Sequence, residues 1–231
     1  MAFISKLLPA NPKIQKIYRI LKRVFLTLFI AHLYYTLVLI FIPVFTTPTI
    51  IGQWMGGKTI HKKWVSVERI STAAKHAVIA GEDQEFGEHF GFDVEQIEKA
   101  LKYNETHKAK KGASTITQQV AKNVFLWQSR TWIRKGMEAY CTLLIELFWS
   151  KDRILEIYLN VAEMGDGIFG IEAAAQKYFG KSASKLTNDE AALITACLPN
   201  PIKYKVDAPT DYVRKRQRWI LWQMKNIEWE K

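Results

Sequence analysis

The stretch VIAGEDQEFGEHFGFD, residues 78–93, places four carboxylates, a histidine and two phenylalanines within residues 82–90. It continues an apolar run with helical spacing, so Glu82 stands at the end of a helix of small apolar residues. One side of its carboxylate should face a low dielectric, which raises the pKa of a carboxyl group towards the range useful for proton transfer. Taken alone, the stretch is also compatible with a polar turn of solvated carboxylates.

A second polar stretch, KGASTITQQVAKN at residues 111–123, predicts a helix that begins near Thr115. Gly112 allows a special backbone conformation before it, and Thr115 with Gln118 fits a capping box. Free amides at the helix start, hydroxyls and an ammonium together suit a phosphate or pyrophosphate. The side chains that would form this site are Ser114, Thr115, Gln118, Gln119 and Lys122.

The third polar element opens the apolar helix RKGMEAYCTLLIELFW, residues 134–149. Arg134 and Lys135 lie one turn before Glu138. A surface ion pair is the ordinary interpretation of such spacing. A second site carboxylate, held by basic neighbours, is the alternative.

Helical spacing of apolar residues recurs along the chain after Val67, without any run that alternates like a strand. The pattern therefore predicts a compact, mainly α domain. Its helices are predicted at residues 94–103, 116–126, 134–149, 152–163, 170–178, 188–197 and 211–228.

The sequence GDGIFG, residues 165–170, matches the dinucleotide-binding pattern G-x-G-x-x-G. That motif has its function only after a strand, and the preceding RILEIYLNVAEM has helical spacing, so nucleotide binding is rejected. The glycines instead predict a tight turn between two helices. Asn160 and Glu163 are nearby polar candidates for substrate contacts.

The segment VFLTLFIAHLYYTLVLIFI, residues 24–42, contains no Asp, Glu, Lys or Arg and would span about 28 Å as a helix. No small-x-small cleavage site follows, which favours an uncleaved membrane anchor over a signal peptide. A buried core helix is the alternative. The predicted organisation is a basic cytoplasmic tail, a transmembrane helix, a juxtamembrane connector and a folded domain, at residues 1–23, 24–42, 43–66 and 67–231.

The net charge of +11 on 231 residues is concentrated at the N-terminus. More than half of the excess lies within the first 42 residues, which carry six basic and no acidic groups. By the positive-inside rule this asymmetry predicts a cytoplasmic N-terminus, with everything beyond about Pro43 outside. Trp54 and Met55 in the connector are expected to help seat the domain at the membrane interface.

The sequence contains two cysteines, which lie far apart in the chain. Cys141 and Cys197 lie in apolar helical surroundings and are predicted to be buried thiols rather than a disulfide.

The helix DYVRKRQRWILWQMKNIEW, residues 211–229, interleaves basic and aromatic residues. We interpret it as a solvated basic face with tryptophans packed inward, with anionic headgroups as a second choice of contact; nucleic-acid binding is not expected.

The polar stretches resemble one family, the peptidoglycan glycosyltransferases of family 51. E-D-x-x-F-x-x-H-x-G matches residues 82–91, and G-x-S-T-[IL]-[ST]-Q-Q-x-x-K-N matches residues 112–123. R-K-x-x-E follows at residues 134–138 and I-L-E-x-Y-L-N at residues 154–160. Further matches are AAQKYFGK at residues 174–181 and LPNPIKY at residues 198–204.

This resemblance is closest to the monofunctional, membrane-anchored biosynthetic transglycosylases. It implies a lysozyme-like, mainly α domain of two lobes that polymerises lipid II, transferring the lipid-linked glycan strand to the 4-hydroxyl of lipid II with inversion and release of undecaprenyl pyrophosphate. The protein would lie in the bacterial inner membrane with its catalytic domain in the periplasm. Transpeptidase activity is not expected, because Ser182 to Lys185 spells S-x-x-K without its partner motifs.

The resemblance also implies roles for individual residues. Glu82 would be the general base and Glu138 the second essential carboxylate. No metal ligand or required cofactor is predicted; a divalent cation, Mg²⁺ or Mn²⁺, at the pyrophosphate is left open. Besides lipid II, the nascent strand and the membrane, other cell-wall synthesis or division proteins are candidate partners. The expected substrate-binding residues are Asp83, Phe86, His89, Ser114, Thr115, Gln118, Gln119, Lys122, Asn123, Arg134, Lys135 and Asn160.

Two alternatives remain at the level of sequence. A lysozyme-like hydrolase would use Glu82 as general acid to cut finished glycan strands, but it has no use for the predicted pyrophosphate site at residues 112–123. A non-enzymatic, membrane-anchored scaffold of cell-wall synthesis would not need the convergence of Glu82, Lys122 and Glu138.

Overall fold

The computed structural model describes residues 12–107, 111–129, 131–227 and 229. The chain divides into two units, with the boundary between Ile42 and Pro43. Each unit is described separately below.

The first unit contains the helix α1, Pro12–Val38, which is long and apolar enough to cross a membrane. It begins well before the predicted span, because Lys and Arg are good helix formers and continue the same helix. It also ends earlier, since residues 39–42 form turns before Pro43. Residues 1–11 of the predicted tail lie outside the described residues.

The second unit is mainly helical, as predicted. Most of its helices begin after a Ser, Thr or Asp whose side chain accepts a hydrogen bond from an amide of the first turn, which satisfies a donor that the helix itself leaves free. Its helices are α2 (Pro48–Met55), α3 (Thr72–Glu82), α4 (Val94–Thr106), α5 (Ile116–Phe125), α6 (Trp132–Phe148), α7 (Lys151–Val161), α8 (Ile171–Phe179), α9 (Asn188–Cys197) and α10 (Asp211–Gln223).

Three short strands form a small sheet that the sequence did not predict. They are β1 (His61–Lys62), β2 (Glu163–Gly165) and β3 (Ile168–Phe169), in the order β1-β3-β2, with β1 parallel and β2 antiparallel to β3. The predicted helix-to-helix turn at residues 165–170 was therefore wrong, because this segment belongs to a β-hairpin.

The hairpin also changes the place of the connector. Gly167 has φ +70°, and a Cβ there would lie 2.4 Å from the Thr59 carbonyl oxygen, so only glycine allows the connector to approach this closely. The connector, residues 43–66, thus supplies α2 and β1 to the second unit. The folded region begins before the predicted boundary at residue 67.

Two groups of helices form the core. α3 packs against α9 and α10, and α5 packs against α6 and α7. Both helices bury small residues, which allows close packing: Ala74 and Ala77 on α3, and Ala192 and Ala196 on α9, are fully buried. The first group contains the C-terminal end of α3, and the second contains the N-terminal end of α5. The candidate site is built from these two helix ends.

Cys141 and Cys197 are both buried thiols and not a disulfide, as predicted. Burial raises the pKa of Cys141 to about 12 and that of Cys197 to about 11. Neither thiol is therefore ionised near neutral pH, and both side chains act as small apolar core residues.

Candidate active site

Glu82 lies at the C-terminal end of α3 with its carboxylate largely buried, only 13% exposed. Each oxygen has a donor: Gln119 Nε2 donates to Oε2 at 2.9 Å, and an Arg216 guanidinium nitrogen donates to Oε1 at 3.2 Å. Burial raises the pKa of the Glu82 carboxyl above its ordinary value, while the Gln119 hydrogen bond and the positive charge of Arg216 oppose that rise. Such a carboxylate is suited to accept a proton.

Asp83 is buried and joins the end of α3 to the start of α5. Its Oδ2 accepts a hydrogen bond from the Ile116 amide at 2.9 Å, and its Oδ1 lies 2.8 Å from His89 Nε2. Phe86 is fully buried, with its ring 5.3 Å from that of Trp229. These side chains hold the loop after Glu82 in place, and their contacts are internal to the protein.

Thr115 and Gln118 form the capping box that the sequence predicts at the start of α5. The Thr115 hydroxyl also donates to the Gly91 carbonyl oxygen at 2.7 Å, and both side chains are buried. Their polar groups are therefore used within the fold. Gly112 does not have the positive φ that would require glycine, and a Cβ there would meet nothing within 4 Å, so the predicted special conformation was wrong.

A cavity of about 700 Å³ opens beside Glu82. It lies where the end of α3, the segment before α5 and the helix α10 come together. Of the predicted substrate-binding residues, Asp83, Ser114, Thr115 and Gln119 border it. The lining also includes Ala80, Gly81, Gln84, Asp93, Gln96, Lys111, Gly112, Ala113, Pro199, Tyr212, Arg216 and Trp219.

Glu138 is buried on α6 and pairs with two cations, Arg134 and Lys135, from the preceding turn. Arg134 is fixed further by a 2.6 Å hydrogen bond from its Nε to the Ser129 carbonyl oxygen. Lys122 on α5 lies close enough to interact electrostatically with Glu138 and Glu82. Burial lowers the pKa of the Lys122 ammonium, and the Glu138 charge opposes that change.

This basic cluster, Lys122, Arg134 and Lys135 around Glu138, combines three cations with one carboxylate. Its excess of positive charge suits an anionic group such as a phosphate. The donor set does not match a protein-only cation site, since Glu138 is already paired with Arg134 and Lys135. Within the described ranges no group of three or more His, Cys, Asp or Glu side chains could hold a metal ion.

Asn160 and Asn123 lie away from the cavity lining. Asn160 is fully buried; its Oδ1 accepts from the Val65 amide at 2.9 Å, and its Nδ2 donates to the carbonyl oxygens of Val65 and Glu156 at 2.8 Å. Its amide forms a structural bridge to the connector, and its contact with substrate stays a prediction. Asn123 is half-buried on α5, one turn beyond Gln119.

The sequence did not identify the contribution of α10. Val213, Ile220 and Met224 face the core, whereas Trp219 and Trp222 are 42% and 59% exposed, so the prediction that the tryptophans pack inward was wrong. Tyr212, Arg216 and Trp219 instead line the cavity. Their spacing of four and three residues is the only signal in the sequence, and it does not reveal which neighbour they face.

Comparisons with known proteins identify the family of the chain. The family model for transglycosylases matches residues 48–225. The chain is 58% identical over 181 residues to the biosynthetic peptidoglycan transglycosylase of Salmonella newport (strain SL254), covering 77% of this chain and 75% of the relative. It is 59% identical over 178 residues to the protein of the same name from Shigella dysenteriae serotype 1 (strain Sd197), covering 75% of this chain and 74% of the relative. The protein is therefore a member of the transglycosylase family.

Proposed function

We propose that this chain polymerises the glycan strands of peptidoglycan by transferring a lipid-linked strand to lipid II. The observation that carries the proposal is Glu82, a buried carboxylate with two donors that opens onto a cavity of about 700 Å³. In this reaction Glu82 accepts the proton of the acceptor 4-hydroxyl as its oxygen attacks the anomeric carbon of the donor. The bond from that carbon to the pyrophosphate breaks, and the configuration inverts.

The basic cluster has its role at the leaving group. Negative charge develops on the pyrophosphate as the bond breaks, and positive side chains already held in place stabilise that charge without reorganisation. Lys122, Arg134 and Lys135 provide the charge, and Ser114 at the cavity provides a hydroxyl. Glu138 pairs with Arg134 and Lys135 and so fixes their positions. With this donor set, we propose that no metal cofactor is required.

The cavity lining argues against a hydrolase. Glycosidases use two carboxylates that flank the scissile bond. In the described chain the carboxylates lining the cavity are Glu82, Asp83 and Asp93. Both oxygens of Asp83 are engaged internally, and Asp93 caps α4 by accepting from the Gln96 amide at 2.8 Å. Both carboxylates thus have structural contacts with the backbone, and we propose that neither serves as a second catalytic group.

The substrates proposed here are anchored in a membrane, and two features support a matching location for the enzyme. α1 provides a single-pass anchor, which we propose has its N-terminus in the cytoplasm and the catalytic unit in the periplasm. The second unit also exposes large apolar side chains: Trp54 and Met55 on α2 are 68% and 76% exposed, and Trp132 at the start of α6 is 91% exposed. Such residues favour the membrane interface.

The test is incubation of the full-length protein in detergent with labelled lipid II. We expect the unaltered chain to make polymer that muramidase degrades. Glu82→Gln should lower the rate at least about 100-fold, because it removes the base. Glu88→Gln alters an exposed carboxylate of the same loop and should leave the rate unchanged.

Three results would contradict the proposal. Absence of polymer from the unaltered chain under conditions where a known polymerase is active would favour the scaffold. Shortening of finished glycan strands would favour the hydrolase. An undiminished rate for Glu82→Gln would remove Glu82 from the mechanism.

A further inference from the structure

Arg216 is the residue of α10 that faces Glu82. One of its terminal nitrogens donates to Glu82 Oε1 at 3.2 Å and to the Gly81 carbonyl oxygen at 2.9 Å. The side chain is 22% exposed, and its guanidinium carbon lies 5.9 Å from the centre of the Trp219 ring. Arg216 therefore contacts both the backbone and the carboxylate at the end of α3.

This contact depends on the close packing of α10 and α3. A Cβ on Gly81 would lie 2.6 Å from Thr195 Cγ2 and 3.3 Å from Ile220 Cδ1. Glycine therefore allows α9 and α10 to approach the last turn of α3. Ile220 lies one turn beyond Arg216 on α10, so the packing that requires glycine also brings the guanidinium within reach of Glu82.

The other groups around Glu82 act less directly. Lys122 on α5 contributes a positive charge, and Gln119 on the same helix donates a neutral hydrogen bond. From α7, the Tyr158 hydroxyl donates to Gln119 Oε1 at 3.4 Å and stays protonated, because burial raises its pKa well above the ordinary value. On the loop of Glu82 itself, Asp83 faces His89. Among the described residues, Arg216 is the cation in direct hydrogen-bond contact with Glu82.

We infer that Arg216 is a positioning residue of the reaction, which holds the Glu82 carboxylate ionised and fixes the direction of its oxygens towards the cavity. This inference rests on the proposed function. In the catalytic step the proton of the acceptor hydroxyl moves to Glu82, which becomes a neutral acid beside a permanent cation. Arg216 then favours loss of that proton to solvent, which restores the base for the next addition.

The role has a consequence that a purely structural residue would not produce. An opposite charge in contact with a carboxyl group lowers its pKa by about one to three units. Removing the charge should therefore raise the pKa of Glu82, and the acid side of the rate profile should move to higher pH. The activity lost on the acid side should return as the pH rises and Glu82 is again ionised.

The experiment measures the dependence of kcat/KM on pH for full-length Arg216→Gln, Arg216→Lys and Arg218→Gln with lipid II in detergent. Arg216→Gln should shift the acid side upward by about one unit or more, so that its loss of rate approaches about tenfold on the acid side of the profile. Arg216→Lys keeps the charge and should stay closer to the unaltered profile. Arg218→Gln removes an exposed charge of the same helix and serves as the matched control.

Failure of the Arg216 inference and failure of the proposed function give different results. If the unaltered chain makes polymer but Arg216→Gln lowers the rate equally at every pH, or not at all, the inference is overturned and the proposed function stands. If the unaltered chain makes no polymer, the proposed function fails first. Should Arg216→Gln not fold, Arg216→Lys still decides, because it keeps the charge: a folded lysine variant whose acid side moves to higher pH would contradict the role of the charge.

Discussion

Glu82 and Asp83 are adjacent carboxylates that have different surroundings. Glu82 opens onto a cavity and receives one donor on each oxygen, whereas the Asp83 oxygens face His89 and the Ile116 amide inside the protein. The first arrangement leaves a group that can exchange a proton with a ligand. The second joins two parts of the backbone. Position next to the proposed base therefore does not by itself imply contact with substrate.

Asp83→Ala should destabilise the fold, because it leaves the buried Ile116 amide without its acceptor. The expected loss is about 1–3 kcal/mol in the free energy of unfolding, measured by chemical denaturation in detergent. Glu88→Ala, on the exposed side of the same loop, should change it by less than about 0.5 kcal/mol. Equal stabilities of the two variants would show that the Asp83 contacts contribute nothing net.

The contacts of Arg216 and Asn160 could not be predicted from the sequence. The stretches around Glu82, Thr115 and Glu138 are recognisable because each carries its polar residues within a few positions. Arg216 lies 134 positions from Glu82, and only the packing of α10 on α3 brings them together. Asn160 stands in a polar-looking neighbourhood of the sequence, but the folded chain turns its amide towards Val65 and not towards the cavity.

The helices α5 and α9 begin with the same kind of N-terminal cap. Each begins with a threonine capping box, Thr115 with Gln118 and Thr187 with Glu190. Only the start of α5 borders the cavity. Comparing the two helices therefore tests whether the capping box of α5 affects activity in addition to stability.

Thr115→Ala and Thr187→Ala should each lower the free energy of unfolding by about 1 kcal/mol, as loss of a helix cap usually does. Polymerisation should fall only in Thr115→Ala, because the Thr115 hydroxyl also holds the Gly91 carbonyl oxygen beside the Glu82 loop. Denaturation and lipid II turnover, measured on the same preparations, separate the two effects. If both variants lose activity in proportion to stability, the N-terminus of α5 has no special function.

The helices were predictable because their apolar periodicity extends over several turns. The prediction at 188–197 agrees with α9 at both ends. The strands β1, β2 and β3 contain two or three residues each, too few for alternation to appear in the sequence. β1 and β3 are also about a hundred residues apart, so their pairing depends on the tertiary fold, as does the inclusion of the connector in the second unit.

The chain has the lysozyme-like, mainly helical architecture that the family resemblance implied. α1 was predictable from its uncharged segment, which is long enough as a helix to cross the hydrocarbon core of a bilayer. Its limits were not, because basic residues are compatible with a helix and the pattern does not distinguish the part that enters the bilayer.

A chain truncated to residues 43–231 should remain folded, since the core described above belongs to the second unit. It should polymerise lipid II in detergent micelles at a rate comparable to that of the full chain. In bilayer vesicles it should be at least about tenfold slower, because the anchor no longer concentrates the enzyme at its substrate. Equal rates in vesicles would mean that the exposed apolar residues of α2 and α6 suffice for attachment.

The Asp83 bridge bears on how a long polymer is made. It joins the end of α3, which carries the proposed base, to the start of α5, the helix that carries Lys122 of the basic cluster. A buried, hydrogen-bonded carboxylate restrains the relative movement of the parts it connects, so we expect little hinge motion between the proposed base and the basic cluster. We therefore expect translocation to be a movement of the glycan. After each addition the strand must slide by one disaccharide across a fixed frame, and processivity is then set by how tightly that frame holds the sugar.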